Sequence, residues 1–356
     1  MMIKIDRPDL DNLAEDYFYN FFIKNGFLNK LLISYLSEEK DQRAFLRFIL
    51  KRIKNIVCAR PDVLEEILIE LYKNFPNIMF QIKNTKITQE GRKVVNPKIR
   101  KYETTVIPTK PEVFSARLEY AFKYETFVNS KDDNQWGAYY LAKKLQVNVC
   151  PYCNRNFTHT HRPTKNSKVK GSTRPEFDHF YSQYEFPFFA LSFFNLVPSC
   201  HVCNANFKSS QNFIDHLNPY ENGFGDDITF TAKIKKRDDK KYIENWFSNT
   251  ELLNIEFKEG ENIDQTLIEK AKKNITTLQL QDLYNYHKDS VMEVIVKAEF
   301  YNSSKIDSLV TDFPRIFPTR DHVIRLITGN YTSLNDLDKR PLSKLIRDIS
   351  REYGIV

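Results

Sequence analysis

A chain of 356 residues with 41% hydrophobic and 14% aromatic residues has material for a large core, and its length suits two or three structural units. Only 9 glycines are present, which argues against a glycine-rich all-β fold and for a helix-dominated one. A net charge of +7 and a pI near 8.9 are compatible with a polyanionic partner, and equally with a solvated basic surface.

The stretch from Met1 to Asp9 has no apolar segment of the secretory type. Phe186 to Val197, the longest apolar stretch, is too short to span a bilayer and is interrupted by Pro187, Ser192 and Asn195. A soluble, cytoplasmic protein without a membrane partner is expected, and in that compartment five cysteines do not form a disulfide framework.

In chain order, residues 1–82 read as an N-terminal helical region. Leu10, Ala14, Tyr17 and Phe21 recur at helical spacing, as do Leu64, Ile67, Leu68, Leu71 and Phe75 after Pro61 at a first helical turn. Residues 83–109 form a basic linker or hairpin, with Lys83, Lys86, Arg92, Lys93, Lys98, Arg100 and Lys101 against Glu90, and with Gly91 and Pro97 as breakers. This stretch is either a solvated linker or a phosphate-contacting arm. Residues 110–148 are a helical lead-in containing Trp136, Tyr139, Tyr140 and Leu141. Residues 149–225 hold the motifs. Within 226–356, Ile228 to Ile234 alternates like a strand, a charge run follows from Lys235 to Lys241, and helical periodicity runs from Ile263 to Ile355. The clearest stripe is Leu342, Leu345, Ile346 and Ile349, with Pro341 at the helix start.

Cys150-Pro151-Tyr152-Cys153 and Cys200-His201-Val202-Cys203 are two Cys-x-x-Cys knuckles. Four thiolates satisfy Zn²⁺ tetrahedrally and leave no open position, the mark of a structural site. A redox pair needs only one knuckle. Cys58 sits alone in apolar surroundings and reads as a core thiol. His201 lies within the second knuckle, where the two cysteines are the better ligands.

Between the knuckles lie 46 residues, and the chemistry is sought there. Phe177-Asp178-His179-Phe180 places an Asp-His pair between apolar residues, as on a short strand. Asn195 follows sixteen residues after His179, and Asn204 nine residues after Asn195, directly behind the last cysteine. Asp-His, Asn and Asn between two Cys-x-x-Cys pairs resembles the HNH family of ββα-metal endonucleases over about 60 residues, here with Asn at the third motif position. The nine-residue step also resembles the HNH domain of RNA-guided nucleases.

The resemblance implies an α+β fold, mostly helical, around a central zinc-stapled ββα-metal module. It implies His179 as general base, Asp178 and Asn204 as ligands of a catalytic Mg²⁺ or Mn²⁺, and Asn195 as the amide that pins the loop and orients the histidine. Each role suits its residue. A neutral imidazole can take a proton near pH 7, and a hard divalent cation prefers carboxylate and amide oxygens. In isolation an Asp-His dipeptide is no more than a surface pair; the flanking knuckles and asparagines carry the functional reading.

Arg162, Lys165, Lys168, Lys170 and Arg174 form a basic stretch without acidic residues, a candidate for nucleic-acid backbone contacts, and Lys208 is a candidate phosphate contact. His159 and His161 read as strand residues and His216 as packing.

The order Cys-Pro-Tyr-Cys, Phe-Asp-His-Phe-Tyr, then Asn-Leu-Val-Pro-Ser-Cys looks like the HNH component of Septu anti-phage systems, also found with retrons. That resemblance implies an antiviral nuclease effector and an ABC-type ATPase partner. The chain has no GxxxxGK[ST] phosphate loop, so the ATPase would be another chain. The expected function is endonucleolytic hydrolysis of nucleic acid, DNA ahead of RNA. The alternatives are an RNase acting on tRNA or structured RNA, and a non-catalytic zinc-dependent nucleic-acid-binding adaptor.

Overall fold

The computed structural model describes residues 2–96, 108–130, 135–163, 168, 171–234, 250–261 and 263–356. Its first third is helical. α1 (Leu10–Tyr17) continues into a π-helical turn, Phe18–Ile23, followed by α2 (Phe27–Ser37), α3 (Lys40–Lys51), α4 (Ile53–Cys58), α5 (Pro61–Asn74), α6 (Pro76–Asn84) and α7 (Gln89–Val95). α8 (Lys110–Ala121), α9 (Glu125–Val128) and α10 (Ala138–Leu145) lead into the cysteine region. There β1 (Glu176–His179) pairs antiparallel with β2 (Leu196–Ser199), ahead of a π-helix, Val202–Lys208. A second antiparallel pair, β3 (Ile228–Ile234) and β4 (Leu253–Glu259), precedes α11 (Gln265–Thr277), α12 (Leu280–Tyr284), α13 (Lys288–Phe300), α14 (Ser303–Asp312), α15 (Arg320–Thr328) and α16 (Ser343–Glu352). A mostly helical α+β chain with two small sheets is what the composition calls for.

The helical stripes face inward as their spacing requires. Leu10, Ala14, Tyr17 and Phe21 are buried, and the Tyr17 ring stacks on Phe21 at 5.0 Å and meets Trp136 edge-on at 5.3 Å. Pro61 opens α5, where its fixed φ and missing N–H suit the first turn. Leu64, Ile67, Leu68 and Leu71 fill the buried side of that helix. Apolar residues from the N-terminal helices, the cysteine region and the C-terminal helices join one continuous core. Among the described residues no helix is long and apolar enough to cross a membrane.

Residues 83–96 depart from the expected basic loop. Lys83 lies in the last turn of α6 and pairs with Glu185 at 3.1 Å; Arg92 lies in α7 and binds both Glu119 oxygens, at 2.7 and 3.0 Å. Thr88 caps α7 by accepting from the Gly91 N–H. Gly91 does not break the helix: a Cβ there would lie 2.7 Å from the Glu112 carboxylate, so its bare backbone lets α7 pack on α8. Lys98, Arg100 and Lys101 lie outside the described residues, as does the run Lys235 to Lys241. The partner strand β4 was missed in the sequence, although Leu253 and Ile255 alternate inward as a strand signal should.

α16 begins at Ser343, two residues after Pro341, because Leu342 adopts the left-handed conformation at φ 63°. Its buried face carries charge as well as Leu345, Ile346 and Ile349. The Lys344 ammonium is bonded to Asp348, and both side chains are fully buried. Asp348 also accepts from the Phe230 N–H of β3 at 2.9 Å and from Arg347 at 3.2 Å. This cluster ties the last helix to the second sheet. Removing one partner of a buried pair leaves an uncompensated charge. Lys344→Met is therefore expected to lower the unfolding free energy by about 3 kcal/mol in chemical denaturation. A loss below about 0.5 kcal/mol would show that Arg347 alone neutralises Asp348.

Candidate metal centre and the adjoining cavity

The two knuckles meet. The sulfurs of Cys150, Cys153, Cys200 and Cys203 are buried and lie within 4.8 Å of one another, and Cys153 Sγ is 3.9 Å from Cys200 Sγ. Tetrahedral Zn–S bonds of about 2.3 Å put sulfurs about 3.8 Å apart, so donor type and spacing both fit zinc. Backbone and amide N–H groups surround the sulfurs: Arg155 N–H donates to Cys153 Sγ at 3.4 Å and Asn156 Nδ2 to Cys200 Sγ at 3.3 Å. Such donors stabilise thiolate charge. His201 is turned away, its Nδ1 2.7 Å from Glu176 Oε1. Cys58 lies apart, its Sγ donating to the Ala14 carbonyl; burial pushes this thiol up to about 12.

From this staple β1 and β2 run antiparallel, with Asp178 opposite Val197 and His179 opposite Leu196. In the connection between them, 180–195, one side chain makes three bonds to backbone. Asn195 Oδ1 accepts from the Tyr181 N–H at 2.6 Å, and its Nδ2 donates to the carbonyls of Tyr181 (3.1 Å) and Phe189 (2.9 Å). The carbonyl of Ala190, next along that connection, lies 3.0 Å from His179 Nε2. A carbonyl can only accept, so Nε2 carries the proton and Nδ1 is the ring's acceptor. The Tyr124 ring meets the imidazole edge-on at 4.5 Å. Burial lowers the His179 pKa to about 4, which keeps the ring neutral near pH 7.

Asp178 is also buried, and both its oxygens are engaged. Oδ2 accepts from the Tyr152 hydroxyl at 2.6 Å, and Oδ1 lies 3.0 Å from Lys208 Nζ. Burial pushes this carboxyl up, and Lys208 opposes the shift. Lys208, itself buried, also donates to the His179 carbonyl at 2.7 Å. The expected phosphate contact at Lys208 is thus corrected: its ammonium neutralises Asp178. Asn204 Nδ2 donates to Glu176 Oε2 at 2.8 Å.

Glu176, Tyr152 and Tyr124 are the residues that sequence reasoning missed. Glu176 had a signal, since it stands two residues before Asp178 and so on the same face of β1.

Asp178, His179, Glu176, Asn204, Lys208 and Arg174 line one open cavity of about 430 Å³. Carboxylate and amide oxygens suit a hard divalent cation, but both oxygens of Asp178 are closed on protein partners. Among the described residues the four cysteines are the only group of three or more His, Cys, Asp or Glu placed to hold an ion. As arranged, with Lys208 and Tyr152 on its two oxygens, Asp178 does not fit Mg²⁺ or Mn²⁺.

Arg162 and Arg174 both lie against Tyr139, and Lys168 is exposed; Lys165 and Lys170 lie outside the described residues. His161 bridges to Thr173, as a strand residue would. His216 packs flat on Phe213, with ring centroids 4.0 Å apart. Compared with known protein families, curated proteins and solved structures, the chain has no match.

Two outcomes test this geometry. Purified protein should carry one zinc per chain, and Cys203→Ser should lose it, with the unfolding temperature falling by about 10 °C or more. Asn195→Ala should cost about 3 kcal/mol in chemical denaturation, because it strands three buried backbone groups while leaving zinc content intact.

Proposed function

We propose that the chain is an HNH-type endonuclease that hydrolyses nucleic-acid phosphodiesters, DNA ahead of RNA, with His179 as general base. The observation that carries this reading is the hydrogen bond from His179 Nε2 to the Ala190 carbonyl. It reserves Nδ1 as the proton acceptor on a ring that lines a polar cavity. In the proposed reaction a water bound in the cavity gives its proton to Nδ1. Its oxygen forms a bond to phosphorus, and the bond from phosphorus to the leaving oxygen breaks. Asn195 keeps the Ala190 region in place, so it acts as a positioning residue. Arg174 at the cavity wall supplies positive charge for the phosphate.

The proposal includes a requirement for Mg²⁺ or Mn²⁺, which needs Lys208 to release Asp178. Membership of an anti-phage system, beside an ATPase supplied by another chain, rests on the resemblance alone. A second reading is favoured by one observation: the Lys208–Asp178 pair closes the carboxylate, as suits a zinc-dependent nucleic-acid-binding protein without catalysis.

Plasmid DNA and a structured RNA, each incubated with Mg²⁺ or Mn²⁺, separate these readings. Wild type should cut DNA, and His179→Ala with equal zinc content should be slower by about 10²–10⁴-fold. Equal cutting by both proteins would remove His179 from the chemistry. Binding without cutting by wild type would favour the second reading, and cutting of RNA alone would make the substrate RNA.

A further inference from the structure

A second cavity, of about 380 Å³, adjoins the one that His179 lines. Tyr124, Gln183 and Tyr184 line both. Ala190, whose carbonyl accepts from His179 Nε2, lines the second. The two cavities therefore meet at the turn that carries Gln183 and Tyr184, next to the group that orients the imidazole. That turn is held in two ways. The Phe186 N–H donates to the Ser182 carbonyl at 2.8 Å, and Glu185 pairs with Lys83 of α6 at 3.1 Å.

Tyr184 is 70% exposed, and its ring meets no other aromatic ring among the described residues. An exposed tyrosine is ordinary on a protein surface. One held on a braced turn where two cavities join offers a π face beside the proposed reacting phosphate. Gln183, half-buried, makes no side-chain hydrogen bond among the described residues, so its amide has both a donor and an acceptor to offer. The charges that line the second cavity balance. Arg92 and Lys123 stand against Glu119 and Glu125, and Glu119 holds Arg92 with both oxygens, at 2.7 and 3.0 Å. Such a lining has no excess positive charge for a phosphate. It suits a neutral planar group with a hydrogen-bonding edge, which is what a nucleobase presents.

We propose that the second cavity is a nucleobase subsite, which holds the base next to the phosphate in the first cavity, stacked on Tyr184 with its polar edge against Gln183. This rests on the nuclease reading and deepens it by naming the substrate: a strand with an unpaired base at the cutting site. A base inside a duplex has both faces stacked and its pairing edge occupied, so a duplex must first give up a pair to fill the cavity. Single strands are therefore the preferred substrate. Stacking tolerates every base, so Tyr184 contributes affinity with little sequence preference.

The test is titration of three fluorescent DNA ligands of equal length without divalent ions: a single strand, the matching duplex, and an abasic strand that has the phosphates but no bases. Wild type, Tyr184→Ala and Tyr184→Phe are compared, each checked for zinc content and unfolding temperature, which an exposed position should leave unchanged. Wild type should bind the single strand more tightly than the duplex or the abasic strand. Tyr184→Ala should bind the single strand about tenfold more weakly, with its affinity for the abasic strand unchanged, and Tyr184→Phe, which keeps the ring, should stay within about twofold of wild type. The slope of log affinity against log salt should be the same in all three proteins, because no phosphate contact is lost. With Mg²⁺ or Mn²⁺ added, Tyr184→Ala should raise KM for the single strand and leave kcat unchanged. If wild type binds no single strand, binds the abasic strand or the duplex equally well, or is matched by Tyr184→Ala, the subsite is wrong. Binding that depends on Tyr184 and on bases, with no cleavage by wild type, keeps the subsite and removes the nuclease reading; cleavage with no Tyr184 effect does the reverse.

Discussion

The convergence of four sulfurs is the constraint on which the rest of the centre depends. A 46-residue interval carries both strands of the first sheet, the Asn195 loop and His179. Left open, such a loop would have to be ordered by short strands of four residues each, too few to stabilise a hairpin by themselves. Closing it at the four cysteines fixes the chain before β1 and again at the helix that carries Asn204. The staple is itself held from outside. Asn154, at φ 48° just after the first knuckle, bonds through its amide to the Leu337 carbonyl and the Lys344 N–H. Tyr284 donates to the Cys153 carbonyl at 2.5 Å, and the Ile3 N–H donates to the Pro151 carbonyl at 2.7 Å. The helical flanks are therefore scaffold for the knuckles.

Polar burial takes two forms around this staple. Asn195 is a neutral group whose amide is matched on both sides by backbone, so it orders its loop without placing a charge in the core. The Asp178–Lys208 and Asp348–Lys344 pairs are ionic, and each pays desolvation on two groups. The first pair joins β1 to the end of the π-helix; the second lies within α16, and the Asp348 carboxylate it holds accepts from the Phe230 N–H of β3. Their value is in fixing which elements meet, because a shifted register would strand a charge.

Much of this was legible from residue spacing. The helical stripes around Tyr17 and Leu68, the strand at Ile228 and the four-cysteine cluster all follow local periodicity or short-range geometry. What was not legible depended on tertiary partners. Gly91 reads as a breaker until Glu112 of α8 is seen against it. Lys208 reads as a phosphate contact until the fold brings it to Asp178, 30 positions earlier in the chain. Glu176 was within reach, since a period of two puts it beside Asp178, but its bonds to Asn204 and His201 needed the structure. Long-range electrostatic pairing leaves no periodic trace in a sequence, and that is where the sequence reading fell short.

Lys208 has a consequence for both members of the Asp-His pair. Its ammonium opposes the rise that burial imposes on Asp178, and it adds to the fall that burial imposes on His179. One buried cation thus favours an ionised carboxylate and a neutral imidazole side by side. Those are the protonation states that acid–base chemistry at this pair needs, and they arise before any substrate or ion is considered. The Ala190 carbonyl acts on the same ring in the opposite sense, favouring its charged form, while fixing which nitrogen keeps the proton. Burial outweighs it, so the carbonyl orients the imidazole and the surroundings set its charge. Orientation and charge are thereby assigned to different partners, the Asn195-pinned loop and the end of the π-helix.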